Sequence, residues 1–224
     1  MLFRGSGGQL ASDASHRIVV QALRNISLQF RTGDRVALVG TNGAGKTTLL
    51  RAMAGVHEPV TGVIKSVGRI SPMFDISLGI DGDMSGYDNI RLRGLILGLS
   101  ATEIEDRMAD IVGFTELGEY LDIPVRTYSS GMMTRLTFAV ATCFAPEIVL
   151  MDEWIIAGDA AFLVKAQQRI ETFVEKAGIL VLASHSNEIC RRWCNKAVWM
   201  ERGEVKLQGD IESVLASYER QMTS

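Results

Sequence analysis

Residues 40–47 spell GTNGAGKT, and this glycine-rich stretch limits the possible folds of the chain more than any other feature. It fits the pattern GxxxxGK followed by Ser or Thr, in which glycines let backbone N–H groups curl around a phosphate. The preceding RVALVG predicts a β-strand, and the following TTLLRAMAG predicts a helix that ends at Gly55. A strand, a glycine-rich loop and a helix in this order predict a phosphate-binding loop rather than a glycine turn without a ligand.

The residue types in this loop suggest separate roles. Lys46 would place a positive charge beside the outer phosphate oxygens, and the Thr47 hydroxyl would be a ligand of Mg²⁺. The residues predicted to surround the phosphates are Gly40, Thr41, Asn42, Gly43, Ala44, Gly45, Lys46, Thr47 and Thr48.

Polar residues follow two further apolar segments that predict strands. EIVLMDE ends in Asp152 and Glu153, and the carboxyl end of a parallel strand is where such sheets bind ligands. Asp152 would belong to the Mg²⁺ shell, and Glu153 would polarise an attacking water. ILVLA leads to Ser184 and His185, which would leave the same sheet edge within reach of a γ-phosphate. The alternatives are a solvated acidic pair and a structural histidine.

Composition narrows the range of partners. The formal net charge is −3, with 23 Lys and Arg against 26 Asp and Glu, so no general basic field would attract nucleic acid. We therefore expect no nucleic-acid partner. Three cysteines, an odd number, and no charged-then-apolar leader lead us to expect a cytosolic protein without a disulfide framework. No apolar run approaches the ~18 residues of a membrane span, so a membrane role would need a partner chain.

The remaining pattern predicts an α/β protein that is interrupted by helices. IVVQALRNISLQF predicts short β segments as far as Phe30, and a helical pattern with a capping box at Ser100 and Glu103 follows the phosphate loop region. Strand-like EIVLMD and GILVLAS then flank the amphipathic DAAFLVKAQQRIETFVEKA, which predicts parallel strands with crossover helices. The tail predicts a hairpin with its turn at Arg202-Gly203 and a closing helix.

YSSGMMTRL, residues 128–136, precedes the apolar run TFAVATCFA, which predicts a buried helix. Serine hydroxyl groups at a helix start accept hydrogen bonds from backbone N–H groups, so this stretch could be a simple cap. The N–H groups at a helix start can also bind an anion. The residues of this stretch alone leave both interpretations open.

Together, GTNGAGKTT, YSSGM, VLMDE and SH resemble the phosphate loop, signature, second acidic motif and switch histidine of the nucleotide-binding subunit of ABC transporters. The resemblance implies an α/β fold with a phosphate-loop (RecA-like) core, a mostly parallel sheet, an antiparallel β part and an inserted helical subdomain. Residues 1–224 would form one ATP-binding domain, with the core at 1–78 and 145–224 and the helical signature subdomain at about 80–144.

The resemblance also implies the chemistry, which is ATP hydrolysis with Mg²⁺. The catalytic residues would be Lys46, Glu153 and His185. Thr47 and Asp152 would hold the metal ion. The family's glutamine that contacts Mg²⁺ has no counterpart, and Asp75 is the nearest candidate for its place.

Members of this family pack two chains head to tail around ATP, which answers the question raised by YSSGM. The signature of one chain would contact the ATP on the phosphate loop of a second copy through Ser129, Ser130, Gly131 and Met132. Asp159, in AGDAAF, matches the family's loop at the dimer interface. Met132 replaces the usual signature glutamine, and His16 and Phe3 are the available candidates for an adenine-stacking ring.

YSSGM followed by RLTFAVAT, together with DEWIIAGDAAF, is similar to the ATP-binding subunits of bacterial exporters of O-antigen, capsule or teichoic acid chains. This implies a homodimer at the cytoplasmic face of the inner (plasma) membrane, bound peripherally to an integral membrane transporter subunit. The polysaccharide would contact the chain only indirectly. The alternatives are a soluble ABC-type ATPase and a non-hydrolysing nucleotide-sensing subunit. Glu153 argues against the second of these, because a subunit that does not hydrolyse ATP needs no base.

Overall fold

The computed structural model describes residues 9–12, 18–74, 76–77, 79–153 and 160–222. These residues form two compact units. The first unit takes its described residues from Met1–Gly68, Ile148–Trp154 and Gly178–Ser224. The second takes them from Arg69–Glu147 and Ile155–Ala177.

Within these residues the strands are β1 (Gln9–Ser12), β2 (Ile18–Gln21), β3 (Arg35–Val39), β4 (Ile70–Pro72), β5 (Ile148–Asp152), β6 (Ile179–Ala183), β7 (Lys196–Glu201) and β8 (Glu204–Asp210). The helices are α1 (Lys46–Met53), α2 (Gly86–Ile96), α3 (Ala101–Thr115), α4 (Ser130–Ala141), α5 (Ala160–Glu175), α6 (Asn187–Trp193) and α7 (Ile211–Met222). In the part of the chain so described, no helix has both the length and the apolar character needed to cross a membrane.

Five strands of the first unit form a mostly parallel sheet in the order β5-β6-β3-β7-β8. Each of these pairings is parallel except that of β7 with β8. Leu38, Leu150 and Leu182, on β3, β5 and β6, have no exposed surface. Parallel strands that are buried on both faces consist of nearly unbroken apolar runs, and β3, β5 and β6 show this pattern. The predicted α/β core with a mostly parallel sheet is therefore confirmed.

The parallel direction brings three separated segments to one edge of this sheet. β3 runs directly into the phosphate loop, β5 ends at Asp152, and β6 ends at Ala183. Asp152 and Ala183 are register partners, so the residues that follow them leave the sheet side by side. The carboxyl ends of parallel strands are the usual ligand-binding edge of such sheets.

β7 and β8 form the predicted hairpin. The φ angles of its turn residues, Arg202 and Gly203, are 49° and 81°. Two consecutive residues in the left-handed region give a turn whose twist matches that of the flanking strands. α7 then follows β8 directly, as the sequence predicts.

The chain before the phosphate loop contains less β structure than the sequence predicts. β2 ends at Gln21, although the apolar pattern predicts β structure as far as Phe30. Asn25 has a φ of 50°, and a left-handed residue interrupts an extended backbone.

The second unit contains β4 and α2 to α5, and its helix starts follow the sequence closely. The Ser100 hydroxyl accepts a hydrogen bond from the Glu103 N–H at 3.2 Å. The Glu103 carboxylate in turn accepts one from the Ser100 N–H at 2.8 Å. This reciprocal pair is the predicted capping box.

Three phenylalanine rings pack together where α3, α4 and α5 meet. Phe114, Phe138 and Phe162 come one from each helix, and all three are buried. Their ring centroids are 5.8, 5.7 and 6.1 Å apart, a distance at which aromatic pairs contribute beyond the area they bury. The rings therefore join α3, α4 and α5.

Candidate nucleotide-binding site

The phosphate loop begins at Gly40, which has no room for a side chain. A Cβ at this position would collide with the backbone oxygen of Met200. Gly43 and Gly45 have φ angles of 76° and 104°, which glycine adopts without steric penalty. The glycine pattern found in the sequence is thus required by a close backbone approach at the first position and by a left-handed backbone at the other two.

Lys46 is the first residue of α1, and only 7% of it is exposed. Its Nζ donates hydrogen bonds to the carbonyl oxygens of Gly40 at 2.7 Å and Thr41 at 3.3 Å. Burial lowers the pKa of Lys46, and the nearby negative charges of Asp152 and Glu153 oppose this shift. The lysine therefore places its ammonium group inside the loop, where a phosphate oxygen would replace the carbonyl contacts.

The start of α1 is open to an anion. Its N-cap residue is Gly45, which has no side chain to accept a hydrogen bond from the first turn. The N-cap residues of α2, α3 and α4 are instead Ser85, Ser100 and Ser129, whose side chains each accept such a bond. The N–H groups of the first turn, which no N-cap side chain binds, and the helix dipole together favour a phosphate at this end of α1.

Glu153 and His185 lie together beyond the sheet edge. Glu153 has a φ of 63°, and its N–H donates to the carbonyl oxygen of Ala183 at 2.7 Å. Its Oε1 is 3.5 Å from Nε2 of His185, and both side chains are about half exposed. Ser184 is buried, and its Oγ accepts a hydrogen bond from the N–H of Ser186 at 3.1 Å. A carboxylate and an imidazole are thus presented side by side to solvent next to the phosphate loop.

The residues predicted to bind Mg²⁺ provide suitable ligand atoms. Thr47 is the second residue of α1 and Asp152 is the last residue of β5, against which α1 packs. Hydroxyl and carboxylate oxygens are the hard ligands that Mg²⁺ prefers, so this pair fits that ion. Asp75 lies outside the described residues, and its assignment stays a prediction.

The signature residues lie in the second unit, at the start of α4. The Ser129 hydroxyl accepts a hydrogen bond from the Met132 N–H at 3.3 Å, so this serine caps the helix. Ser129, Ser130 and Gly131 are exposed. The capping interpretation is therefore confirmed, and anion binding at this helix start stays a prediction. Asp159, His16 and Phe3 are outside the described residues.

The sequence does not indicate that Met200 and Gly203 contact the phosphate loop, although it predicts a turn at Gly203. The parallel pairing of β3 with β7 places Trp199 opposite Val39, and Met200 follows at the level of Gly40. Gly203 donates its N–H to the carbonyl oxygen of Ala44 at 2.9 Å. Only the strand register could have revealed these neighbours, because no local pattern links them to the loop.

A phosphate loop, an acidic strand end and a neighbouring histidine on a mostly parallel sheet define a phosphate-loop nucleotide-binding protein. The family model described as ABC transporter matches residues 23–156. The chain belongs to this family, as the sequence motifs predict.

Relatives within the family include ATP-binding proteins of polysaccharide export systems. The O-antigen export system ATP-binding protein RfbE of Yersinia enterocolitica is 43% identical over 88% of this chain and 83% of its own length. RfbB of Myxococcus xanthus, which has the same description, is 41% identical over 95% of this chain and 48% of its own length. The teichoic acids export ATP-binding protein TagH of Lactococcus lactis is 39% identical over 89% of this chain and 42% of its own length. The chain thus spans most of RfbE but less than half of the other two.

Solved structures show the same fold. An ATP-binding subunit of an ABC transporter has a TM-score of 0.72 at 23% identity, covering 95% of this chain and 92% of that one. The ATP-binding cassette MJ0796, a dimer bound to ADP and Pi, has a TM-score of 0.66 at 20% identity, covering 92% and 97%. These likenesses confirm the predicted ABC ATPase fold.

Proposed function

We propose that this chain is the ATP-hydrolysing subunit that powers export of a cell-surface polysaccharide through a partner membrane protein. The main support is that the phosphate loop, the acidic strand end and His185 lie in one unit, with the Glu153 carboxylate 3.5 Å from His185. The export role is supported by the relatives, whose names describe O-antigen and teichoic acid export.

The phosphate loop would bind the triphosphate of ATP. Backbone N–H groups at the start of α1 would surround the phosphates, and the buried Lys46 ammonium would contact the outer oxygens. Thr47 and Asp152 would hold Mg²⁺, which neutralises phosphate charge when it is bound. Both residues offer the oxygen ligands that this ion requires.

Glu153 would act as the general base. Its carboxylate would accept a proton from the attacking water as that water displaces ADP from the γ-phosphate. His185, 3.5 Å from this carboxylate, would orient the base and donate a hydrogen bond to the γ-phosphate. Glu153 directly follows the last residue of β5, so its carboxylate lies beyond the strand end.

The active assembly would be a dimer of two copies of this chain. The exposed start of α4 would present Ser129, Ser130, Gly131 and Met132 to the ATP bound by the second copy. An exposed helix start suits a phosphate, and MJ0796 provides a dimeric precedent among the solved structures of this fold. Asp159 would lie at the same interface. The dimer would bind peripherally to its membrane partner on the cytoplasmic face.

Complementation in the organism that carries the gene tests this function. Deleting the gene should remove the polysaccharide from the cell surface, and the wild-type gene should restore it. A gene carrying Lys46→Ala should not restore it, although the protein accumulates normally. Unchanged surface polysaccharide after deletion would contradict the export role, and purified wild-type chain without ATP turnover would contradict the ATPase role.

A further inference from the structure

The turn between β7 and β8 contacts the phosphate loop through its backbone. The N–H of Gly203 donates to the carbonyl oxygen of Ala44 at 2.9 Å, and the carbonyl oxygen of Gly203 accepts from the N–H of Arg24 at 2.8 Å. Gly203 is buried, so both bonds are shielded from competing water. One residue of the turn therefore joins two segments that are distant in sequence.

The same turn is packed too closely for a side chain. A Cβ on Gly203 would lie 2.5 Å from the backbone oxygen of Ala22 and 3.3 Å from Cα of Leu23. The Ala22 oxygen also lies 3.0 Å from the place of a Cβ on Gly45. Residues 22–24 are thus held between the turn and the loop, with main chain in contact on both sides.

The bond from Gly203 fixes the orientation of one peptide group in the phosphate loop. No peptide bond among the described residues is cis, and in a planar trans peptide the C=O and N–H groups point in opposite directions. Because the Ala44 carbonyl points toward Gly203, the N–H of Gly45 points away from the turn. Gly45 is the N-cap of α1, where such an N–H group binds an anion.

We propose that Gly203 is a positioning residue for nucleotide binding, because its N–H holds the peptide between Ala44 and Gly45 in the orientation that a phosphate requires. The hairpin supports the loop at a second point, where the Met200 oxygen lies against Gly40. This inference rests on the proposed function, since it takes the triphosphate of ATP as the ligand of the loop.

Gly203→Ala in the full chain tests the inference, with Mg-ATP binding measured by calorimetry. The added Cβ should push the turn away from Ala22 and weaken the bond to Ala44, so ATP affinity should fall about tenfold. The kcat at saturating ATP should change less than about twofold while KM rises, because the catalytic groups are untouched.

Gly62→Ala is the matched control. Gly62 has a φ of 86°, close to the 81° of Gly203, but a Cβ there would meet nothing within 4 Å. The control carries the same backbone strain without the loop contact, and its ATP affinity should equal that of wild type. Equal affinities in the two variants would overturn the inference, whereas loss of affinity in Gly203→Ala alone would support it.

A second measurement needs no substitution and applies even if Gly203→Ala fails to fold. ATP should slow amide hydrogen exchange about tenfold at Gly203 as well as in the phosphate loop, because binding orders the loop that accepts this N–H. ATP protection of the loop without protection of Gly203 would overturn the inference and leave the nucleotide site intact. A wild-type chain that binds no ATP would overturn the inference and the proposed function together.

Discussion

The two units of the chain hold their candidate sites by different means. In the first unit the phosphate loop is positioned by main chain, as where Gly40 lies against the Met200 carbonyl. In the second unit the helix that carries the signature is positioned by side chains, since Phe138 of α4 packs on Phe114 and Phe162. Main-chain contacts are sensitive to an added Cβ, whereas side-chain contacts are sensitive to truncation.

Charged side chains reinforce the second unit at the end of α3. The Glu116 carboxylate accepts hydrogen bonds from Arg135 of α4 at 3.0 Å and from Lys165 of α5 at 2.7 Å. The Arg135 guanidinium also lies 5.0 Å from the Phe162 ring centroid, and the Lys165 ammonium 4.8 Å from that of Phe114. The same two cations also donate to main-chain carbonyl oxygens of α3, Arg135 to that of Thr115 at 3.4 Å and Lys165 to that of Phe114 at 3.1 Å. Side chains of α4 and α5 thus hold the end of α3 through an ion pair, aromatic faces and carbonyl oxygens.

The largest expected effect comes from truncating the aromatic cluster. Phe138→Ala should lower the free energy of unfolding by about 3–5 kcal/mol, because it leaves a cavity among buried rings. Urea denaturation of the full chain measures this loss. Tyr120→Ala, in the same unit but 56% exposed, is the control and should change stability little. A loss below about 1 kcal/mol for Phe138→Ala would show that side-chain packing does not dominate in this unit.

The next effect concerns the first unit, where function should be lost without loss of stability. Glu153→Gln keeps the shape and the main-chain bond to Ala183 but removes the base, so kcat should fall about a thousandfold. ATP binding should persist, and an ATP-bound dimer should accumulate. Phosphate release measures kcat, and light scattering measures the ATP-bound dimer. The exposed Glu58→Gln is the control. Full turnover in Glu153→Gln would place the base elsewhere.

Lys46→Ala should weaken ATP binding by on the order of a hundredfold, because the charged contacts to the outer phosphate oxygens are lost. Calorimetric titration with Mg-ATP measures the change. Lys65→Ala removes an exposed lysine from the same unit and should bind ATP like wild type. An unchanged affinity in Lys46→Ala would refute the phosphate-loop assignment.

Ser130→Phe distinguishes the roles of the two units. The side chain is exposed at the first residue of α4, so the chain should fold and bind ATP normally. In a Glu153→Gln background, ATP-dependent dimerisation should weaken at least about tenfold, because a bulky ring would block the approach of the partner's nucleotide. Ser213→Phe, at an exposed serine in the first turn of α7, should not weaken it. Dimers of normal affinity in Ser130→Phe would exclude the signature from the interface.

The smallest effect is a pH-dependent one at the start of β3. Asp34 is buried, and its carboxylate accepts hydrogen bonds from Lys196 Nζ at 2.6 Å and the Arg31 N–H at 2.9 Å. The bond from Lys196 lowers the pKa of Asp34 in the folded state. The resulting stabilisation is complete above the usual carboxyl pKa near ~4 and is lost as pH falls through the lower folded value.

Asp34→Asn should therefore destabilise the chain by about 0.5–1 kcal/mol at neutral pH, as expected for a single ion pair with one exposed partner. Urea denaturation at several pH values should show the difference from wild type shrinking below pH ~4. A difference that grows toward acid pH would mean that the carboxylate is not stabilised by Lys196.

Local features of the fold and the site were predictable from the sequence. The phosphate loop, the capping box at Ser100 and the turn at Arg202-Gly203 each depend on residues within one short stretch. Such stretches carry their own steric and hydrogen-bonding requirements, so the residue types reveal the conformation.

Contacts between distant segments were not predictable. The Met200 carbonyl faces Gly40 because of the register between β3 and β7, which no periodicity specifies. Phe114, Phe138 and Phe162 meet because three helices pack together, and each alone reads as an ordinary apolar position. The end of β2 was also mispredicted, because the apolar pattern does not reveal the left-handed backbone at Asn25.

The backbone conformation of Glu153 has a consequence for selection experiments. A φ of 63° disfavours valine, isoleucine and threonine at this position whether or not ATP is present. A randomised library at position 153, sorted only for soluble expression, should therefore be enriched in glycine, asparagine and aspartate. Sorting the same library for ATP turnover should retain a different and narrower set of residues. The two selections would thus separate what folding requires at position 153 from what catalysis requires there.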